Sequence, residues 1–291
     1  MRFVFLHGGP GLNSFAEQAI LGPLFEDAGH VVDFWNEPST LRPRGDAFDP
    51  AHAFEHWLAS AEGFVLRSAS RQPVQLIAHS IACHAAMEIA RRHPHRLANL
   101  VLVAPAADPF AAFRNVLRLA VQDLETAKPE IASVIASCLF RTRALLDAPM
   151  CEGMMNVLHD EMLFTHYWVD EGWMQASAAA QARPEAQFDV NAFFAVLTDF
   201  SQRSADVLST GAVTLPTLSL FGAADPVTSF GEQREAIRAA VPEARIEVLD
   251  GCSHYLHLER PHQFVDLAIE WATASGRVAR DESAGAAGAG L

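Results

Sequence analysis

The sequence predicts an α/β protein: a mostly parallel, doubly wound sheet carrying a helical insertion. Three observations lead there. Short apolar runs rich in Val, Ile, Leu and Phe recur without the polar alternation of a strand that has one wet face, so both faces of the sheet must be covered. Stretches with helical spacing separate most of these runs, the arrangement that parallel pairing requires. The alternation then lapses from about Asp108 to Gly211 and resumes at Pro216.

In chain order, the first strand is Phe3 to Leu6, followed by the turn His7-Gly8-Gly9-Pro10-Gly11 and a helix from Phe15 to Ala28. A strand at Val31 to Phe34 and a helix at Pro50 to Ser68 follow. The strand Val74 to Ala78 leads into a helix at Ile81 to Arg92, and Leu100 to Val103 forms the next strand. After the excursion come a strand at Thr217 to Phe221, a helix at Ser229 to Ala240, a strand at Ile246 to Leu249 and a helix at Pro261 to Thr273. Residues 107–212 carry no convincing parallel strand and read as a helical cap over the strand ends, so that 1–106 and 213–274 together make the core domain. Residues 275–291 are Gly, Ala, Ser and charge, and are expected to be a disordered tail.

A chain of 291 residues, half of them hydrophobic, can bury one large core. Its net charge of −14 argues against nucleic acid or an anionic membrane as partner, because both would be repelled over much of the surface. Cys83, Cys138, Cys151 and Cys252 lack the close pairing of a zinc site or a disulfide framework, so reduced thiols in the cytoplasm are expected. The apolar start ends too early, at His7, to be a signal peptide, and no apolar stretch reaches membrane-spanning length.

The segment Ala78-His79-Ser80-Ile81-Ala82 sets a serine at the corner between a strand and an alanine-rich helix. Such a corner is too tight for large side chains two positions either side, and it forces the serine outward at the carboxyl end of the sheet. The usual form is G-x-S-x-G, and alanine replaces both glycines here. Ser80 would equally serve as a helix cap, bonding an orphan amide. The glycine-rich turn at His7–Gly11 would let backbone N–H groups face a cleft, or be an ordinary strand-to-helix turn; it fits neither phosphate-binding pattern. A serine hydroxyl needs a base and the base needs an orienting carboxylate. Asp225, just past the strand at Thr217, and His254, in the loop after Leu249, supply both in the chain order Ser, Asp, His. His257 and Asp108 are the rival base and acid. His84, Cys83 and Cys252 read as packing residues.

With these residues in place the chain resembles an α/β-hydrolase, and its H-G-G-P-G opening is similar to that of the proline iminopeptidase and related hydrolase branch. The resemblance covers Phe3 to about Pro105 and Pro216 to about Thr273. It implies Ser80 as nucleophile, His254 as general acid/base and Asp225 as the residue that orients it, with the Gly9 and Ile81 amides forming an oxyanion hole. Besides the alanines of the elbow, the first strand here resembles the one that the family counts as its third, so the customary first hairpin is expected to be missing or replaced. The chemistry implied is acyl transfer through an acyl-enzyme, with no metal and no organic cofactor.

The substrate is expected to be a small molecule. The aromatic and methionine content of the cap favours an apolar group, with Gly8, His79, Phe164, Tyr167 and Trp168 as candidate binding residues. Ester or thioester hydrolysis therefore ranks above removal of an N-terminal proline, for which Asp160, Glu161, Asp170 or Glu171 would have to bind the amine. Carbon–carbon hydrolysis, lyase or cyclase chemistry and simple ligand binding fit the same residues. A homodimer is compatible with everything above.

Overall fold

Each apolar run becomes a strand of one sheet. The strands are β1 (Arg2–Leu6), β2 (Val31–Trp35), β3 (Val74–His79), β4 (Leu97–Val103), β5 (Thr217–Gly222) and β6 (Arg245–Leu249). Their order is β2-β1-β3-β4-β5-β6, and every neighbouring pair is parallel. The computed structural model describes residues 1–38, 41, 49–142 and 147–288. β3 and β5 are buried at every residue, whereas the edge strands β2 and β6 are partly exposed and carry Asp33 and Glu247. Charge on an edge is what deters pairing with another chain. β4 begins earlier than its apolar run suggests, because the polar Asn99 is buried within it.

Successive side chains of a strand point to opposite faces, so one sequence feeds two cores. Val4, Leu6, Leu76, Leu100 and Leu102 face one layer, against Phe54, Trp57 and Leu58 of α2 (Ala53–Ser68) and Ala86 and Ile89 of α3 (Cys83–Arg92). Phe3, Phe5, Ile77, Val101, Val103, Leu218 and Leu220 face the other. They meet Leu21 and Phe25 of α1 (Phe15–Asp27) and Phe264 and Ala268 of the C-terminal helix.

Between β4 and β5 the chain is helical: α4 (Pro109–Ala127), α5 (Pro129–Arg141), α6 (Ala148–Val157), α7 (Glu171–Ala180) and α8 (Val190–Val207). Asp108, Asp147, Asp170 and Asp189 cap α4, α6, α7 and α8, each accepting a backbone N–H of the first turn. Such caps contribute about 1 kcal/mol apiece. The chain closes with α9 (Phe230–Ala240), the short α10 (Leu256–Glu259) and α11 (Pro261–Gly288). α11 runs past Ala274 into the segment read from the sequence as a tail.

β1 has β2 on one side and β3 on the other, so the chain changes winding direction there. Loops leaving two strands at such a switch diverge and open a crevice. Leu6 is in register with Ala78, which sets the glycine-rich turn beside Ser80.

Candidate active site

Ser80 follows β3 directly and opens a short 3-10 turn, Ser80–Ala82, that runs into α3. Its φ is +52°, a left-handed conformation that costs a residue with a Cβ on the order of 1–2 kcal/mol. Ala78 and Ala82 are fully buried on either side, so a methyl is as much as the corner admits. From the other side the main chain of Gly8 presses on the elbow. A Cβ there would stand 2.5 Å from His79 Nδ1 and 3.0 Å from Ser80 Cβ. The first glycine of the turn is thus a matter of space, whereas Gly9 (φ +72°) and Gly11 (φ +74°) need backbone freedom.

Ser80, His254 and Asp225 meet in one line of hydrogen bonds although their strands are far apart in sequence. His254 Nε2 lies 3.1 Å from Ser80 Oγ, and His254 Nδ1 lies 2.9 Å from Asp225 Oδ2. An ionised carboxylate can only accept, so Nδ1 carries the proton and Nε2 is left as acceptor for the serine hydroxyl. Asp225 also accepts the Val227 and Thr228 amides on Oδ1, at 2.8 and 3.0 Å, and the Thr228 hydroxyl on Oδ2 at 2.6 Å. Burial pushes the Asp225 carboxyl up; the adjacent His254 and these donors outweigh it and hold the group below the usual carboxylate range. Such a line can draw a proton from an alcohol as its oxygen bonds to carbon, then return it to a leaving group.

The remaining candidates divide. Tyr167 comes to the site, its ring set edge-on to that of His254 with centroids 5.1 Å apart. Phe164 is largely exposed and lies against Tyr167, while Trp168 stacks on Tyr255 at 4.6 Å and packs on the α1 side of the sheet. His79 is buried beneath the elbow and bonds the His254 carbonyl through Nε2 at 3.1 Å, so its contact is with the loop that carries the base. His257, the rival base, is fully buried and faces Glu17 at 3.4 Å. Asp108, the rival acid, caps α4. His84 bonds the Ala106 carbonyl, Cys252 bonds the Leu249 carbonyl, and burial raises the thiol pKa of both Cys83 and Cys252. Ile81 begins the first turn after the serine, where helix N–H groups lack intrahelical partners.

Two residues that the sequence does not single out shape the site. Thr228 donates its hydroxyl to Asp225, and the same oxygen lies 3.1 Å from the Ala104 carbonyl, which sets the acid beside the end of β4; the Asp-x-x-Thr spacing was the available signal. Glu37 accepts the Gly11 amide on both oxygens, at 2.9 and 3.0 Å, and the Trp57 indole N–H at 2.7 Å, holding the glycine-rich turn from outside. Nothing local marks a carboxylate at the end of a strand as buried. Among the described residues, Glu17, His79 and His257 bring one potential metal ligand each within 4.8 Å. Two of their ring nitrogens already face the His254 carbonyl and Glu17, which is the pattern of a buried hydrogen-bonded cluster.

Solved structures of similar fold cover nearly the whole chain. A proline iminopeptidase from Mycobacterium smegmatis is 20% identical, with 96% of this chain and 91% of that one aligned and a TM-score of 0.61. The 2-hydroxy-6-oxo-6-phenylhexa-2,4-dienoate hydrolase of Rhodococcus sp. strain RHA1 is 16% identical, over 93% and 89%, with a TM-score of 0.60. An esterase from Exiguobacterium antarcticum is 17% identical, over 94% and 92%, with a TM-score of 0.55. Identities this low establish the architecture and leave the reaction open. The sequence profile described as the alpha/beta hydrolase family matches residues 3–267, and the chain belongs to that family.

Proposed function

We propose that the protein is a serine hydrolase acting on an ester or thioester of a small, largely apolar substrate. Ser80 Oγ attacks the carbonyl carbon while its proton passes to His254 Nε2. The imidazolium then protonates the leaving alcohol or thiol as the bond to carbon breaks. Water, deprotonated by the same imidazole, releases the acyl group from Ser80. Asp225 holds His254 in the required tautomer. The Gly9 and Ile81 amides stabilise the tetrahedral oxyanion, a contribution of about 2.7–4 kcal/mol per donor in comparable sites.

The observation that carries this reading is the line Asp225–His254–Ser80, closed at 2.9 and 3.1 Å. The apolar preference rests on the surroundings. Ile81, next to the nucleophile, and Val227, next to the acid, belong to one hydrophobic cluster with Val116, Leu117 and Leu163 of the helical cap. Of the acidic residues an amine would need, two accept backbone amides and two lie at the surface. Asp160 accepts the Met162 and Leu163 amides, Asp170 caps α7, and Glu161 and Glu171 are exposed.

A fluorophosphonate probe should label the wild-type protein and leave Ser80→Ala unlabelled. A panel of p-nitrophenyl esters of increasing acyl length, run beside proline β-naphthylamide, then separates the chemistries: turnover of esters with preference for apolar acyl groups is expected. Turnover of the amide alone would replace the esterase reading with an aminopeptidase one, and a probe-inert protein would remove both.

A further inference from the structure

Glu259 ends α10 and is 1% exposed, yet the reaction sequence above makes no use of it. Its carboxylate accepts three backbone N–H groups from two segments, one of them 89 to 90 residues away and the other six. Oε1 takes the amides of Val169 (2.5 Å) and Asp170 (2.8 Å), between the turn Leu163–Tyr167 and α7; Oε2 takes the amide of Ser253 (2.6 Å), the residue before His254. The same two segments are stitched again beside it. Ser253 Oγ donates to the His166 carbonyl at 3.1 Å and lies 3.4 Å from that of Ala224, which adjoins Asp225; the Tyr255 amide donates to the Tyr167 carbonyl at 3.4 Å. Between these bonds Tyr167 presents its ring to His254 at 5.1 Å, with the two planes at 89°.

A buried carboxylate that satisfies amides on two strands of chain holds them at a fixed separation, because moving either one leaves a desolvated donor unpaired. We infer that Glu259 is a positioning residue: it fastens the 166–170 wall of the site to the loop that carries His254. The acyl pocket and the base then keep one geometry together. This rests on the hydrolase reading for its kinetic consequences and on the hydrogen bonds alone for its structural ones. Glutamine matches the size of the side chain but turns an NH2 group toward one of the amides, so Glu259→Gln should loosen one segment from the other.

The test pairs amide hydrogen exchange with ester kinetics on the full-length protein. In Glu259→Gln, exchange should speed up together at 167–170 and at 253–255. Displacements of about 1 Å at a reacting centre cost on the order of a hundredfold, so kcat on a short p-nitrophenyl ester should drop about tenfold or more. KM should rise chiefly for longer acyl chains that reach Tyr167. Faster exchange in only one segment, or in both with kcat and chain-length preference unchanged, overturns the inference. If Glu259→Gln does not fold, Ser253→Ala removes the neighbouring stitch and should shift kcat and chain-length preference in the same direction, less strongly; unchanged kinetics there overturn it equally. A wild-type protein inert to the fluorophosphonate probe sinks the hydrolase reading and the kinetic half of the inference, while exchange still reports whether the two segments share an anchor.

Discussion

Asp225 carries four hydrogen bonds, and only one of them goes to His254. The other three fix the carboxylate plane, so the imidazole meets an acceptor already in place. Asp225→Asn would keep an oxygen for the Val227 and Thr228 amides yet offer an amide to His254, favouring the wrong tautomer. A loss of about 10⁴ in kcat with little change in Tm is expected, in line with the same substitution in other triads. Thr228→Val removes the hydroxyl that donates to Asp225 beside the Ala104 carbonyl. Its buried partners lose one donor, so a decrease of about tenfold in kcat/KM should appear, equivalent to the roughly 1.4 kcal/mol expected of such a bond. Unaltered rates in Thr228→Val would mean that the backbone amides suffice.

Among the elements, the strand ends and turns hold the site together by close approach. Gly222, at the end of β5, has room for no Cβ: one would stand 2.3 Å from the Ser253 carbonyl oxygen and 2.7 Å from that of Cys252, both main-chain atoms of the His254 loop. Gly222→Ala must therefore push that loop away, and loss of probe labelling with destabilisation above about 2 kcal/mol is expected by chemical denaturation. Gly29 is a control of the opposite kind. Its φ is +77° and a methyl added there would meet nothing within 4 Å, so Gly29→Ala should cost only about 1–2 kcal/mol of stability and leave labelling intact. Equal effects of the two substitutions would contradict the packing described for the β5 and β6 loops.

At the scale of the whole molecule, the buried His79 and His257 and the part-buried His84 contribute to behaviour in acid. Burial lowers the pKa values of His79, His84 and His257, that of His84 to about 4. The unfolded chain takes up protons near pH 6.5 that the folded chain refuses. Stability is therefore greatest above about pH 6.5 and declines as pH falls toward the folded values. Asp225, whose folded pKa is depressed, adds a later loss: its contribution is complete above about pH 3.8 and disappears as pH falls through the lower folded value. Tm should thus fall between pH 7.5 and 4.5. His84→Gln, which keeps a donor for the Ala106 carbonyl, should flatten that fall; parallel curves for the two proteins would show that His84 takes no part.

Much of the architecture was legible in the order of residues because it depends on local patterns. Short, largely apolar runs made β1 to β6 recognisable, and the spacing of small residues around Ser80 marked the elbow. The chain order of Ser80, Asp225 and His254, each just past a strand, was enough to propose their meeting, since parallel strands bring their carboxyl ends to one edge. Contacts between distant segments were not legible. Trp168 and Tyr167 are neighbours of similar character, yet one lies in a stack with Tyr255 and the other against His254. The burial of Glu37 and Glu259 has no local signature, because a carboxylate becomes an anchor only when amides from elsewhere in the chain arrive to satisfy it.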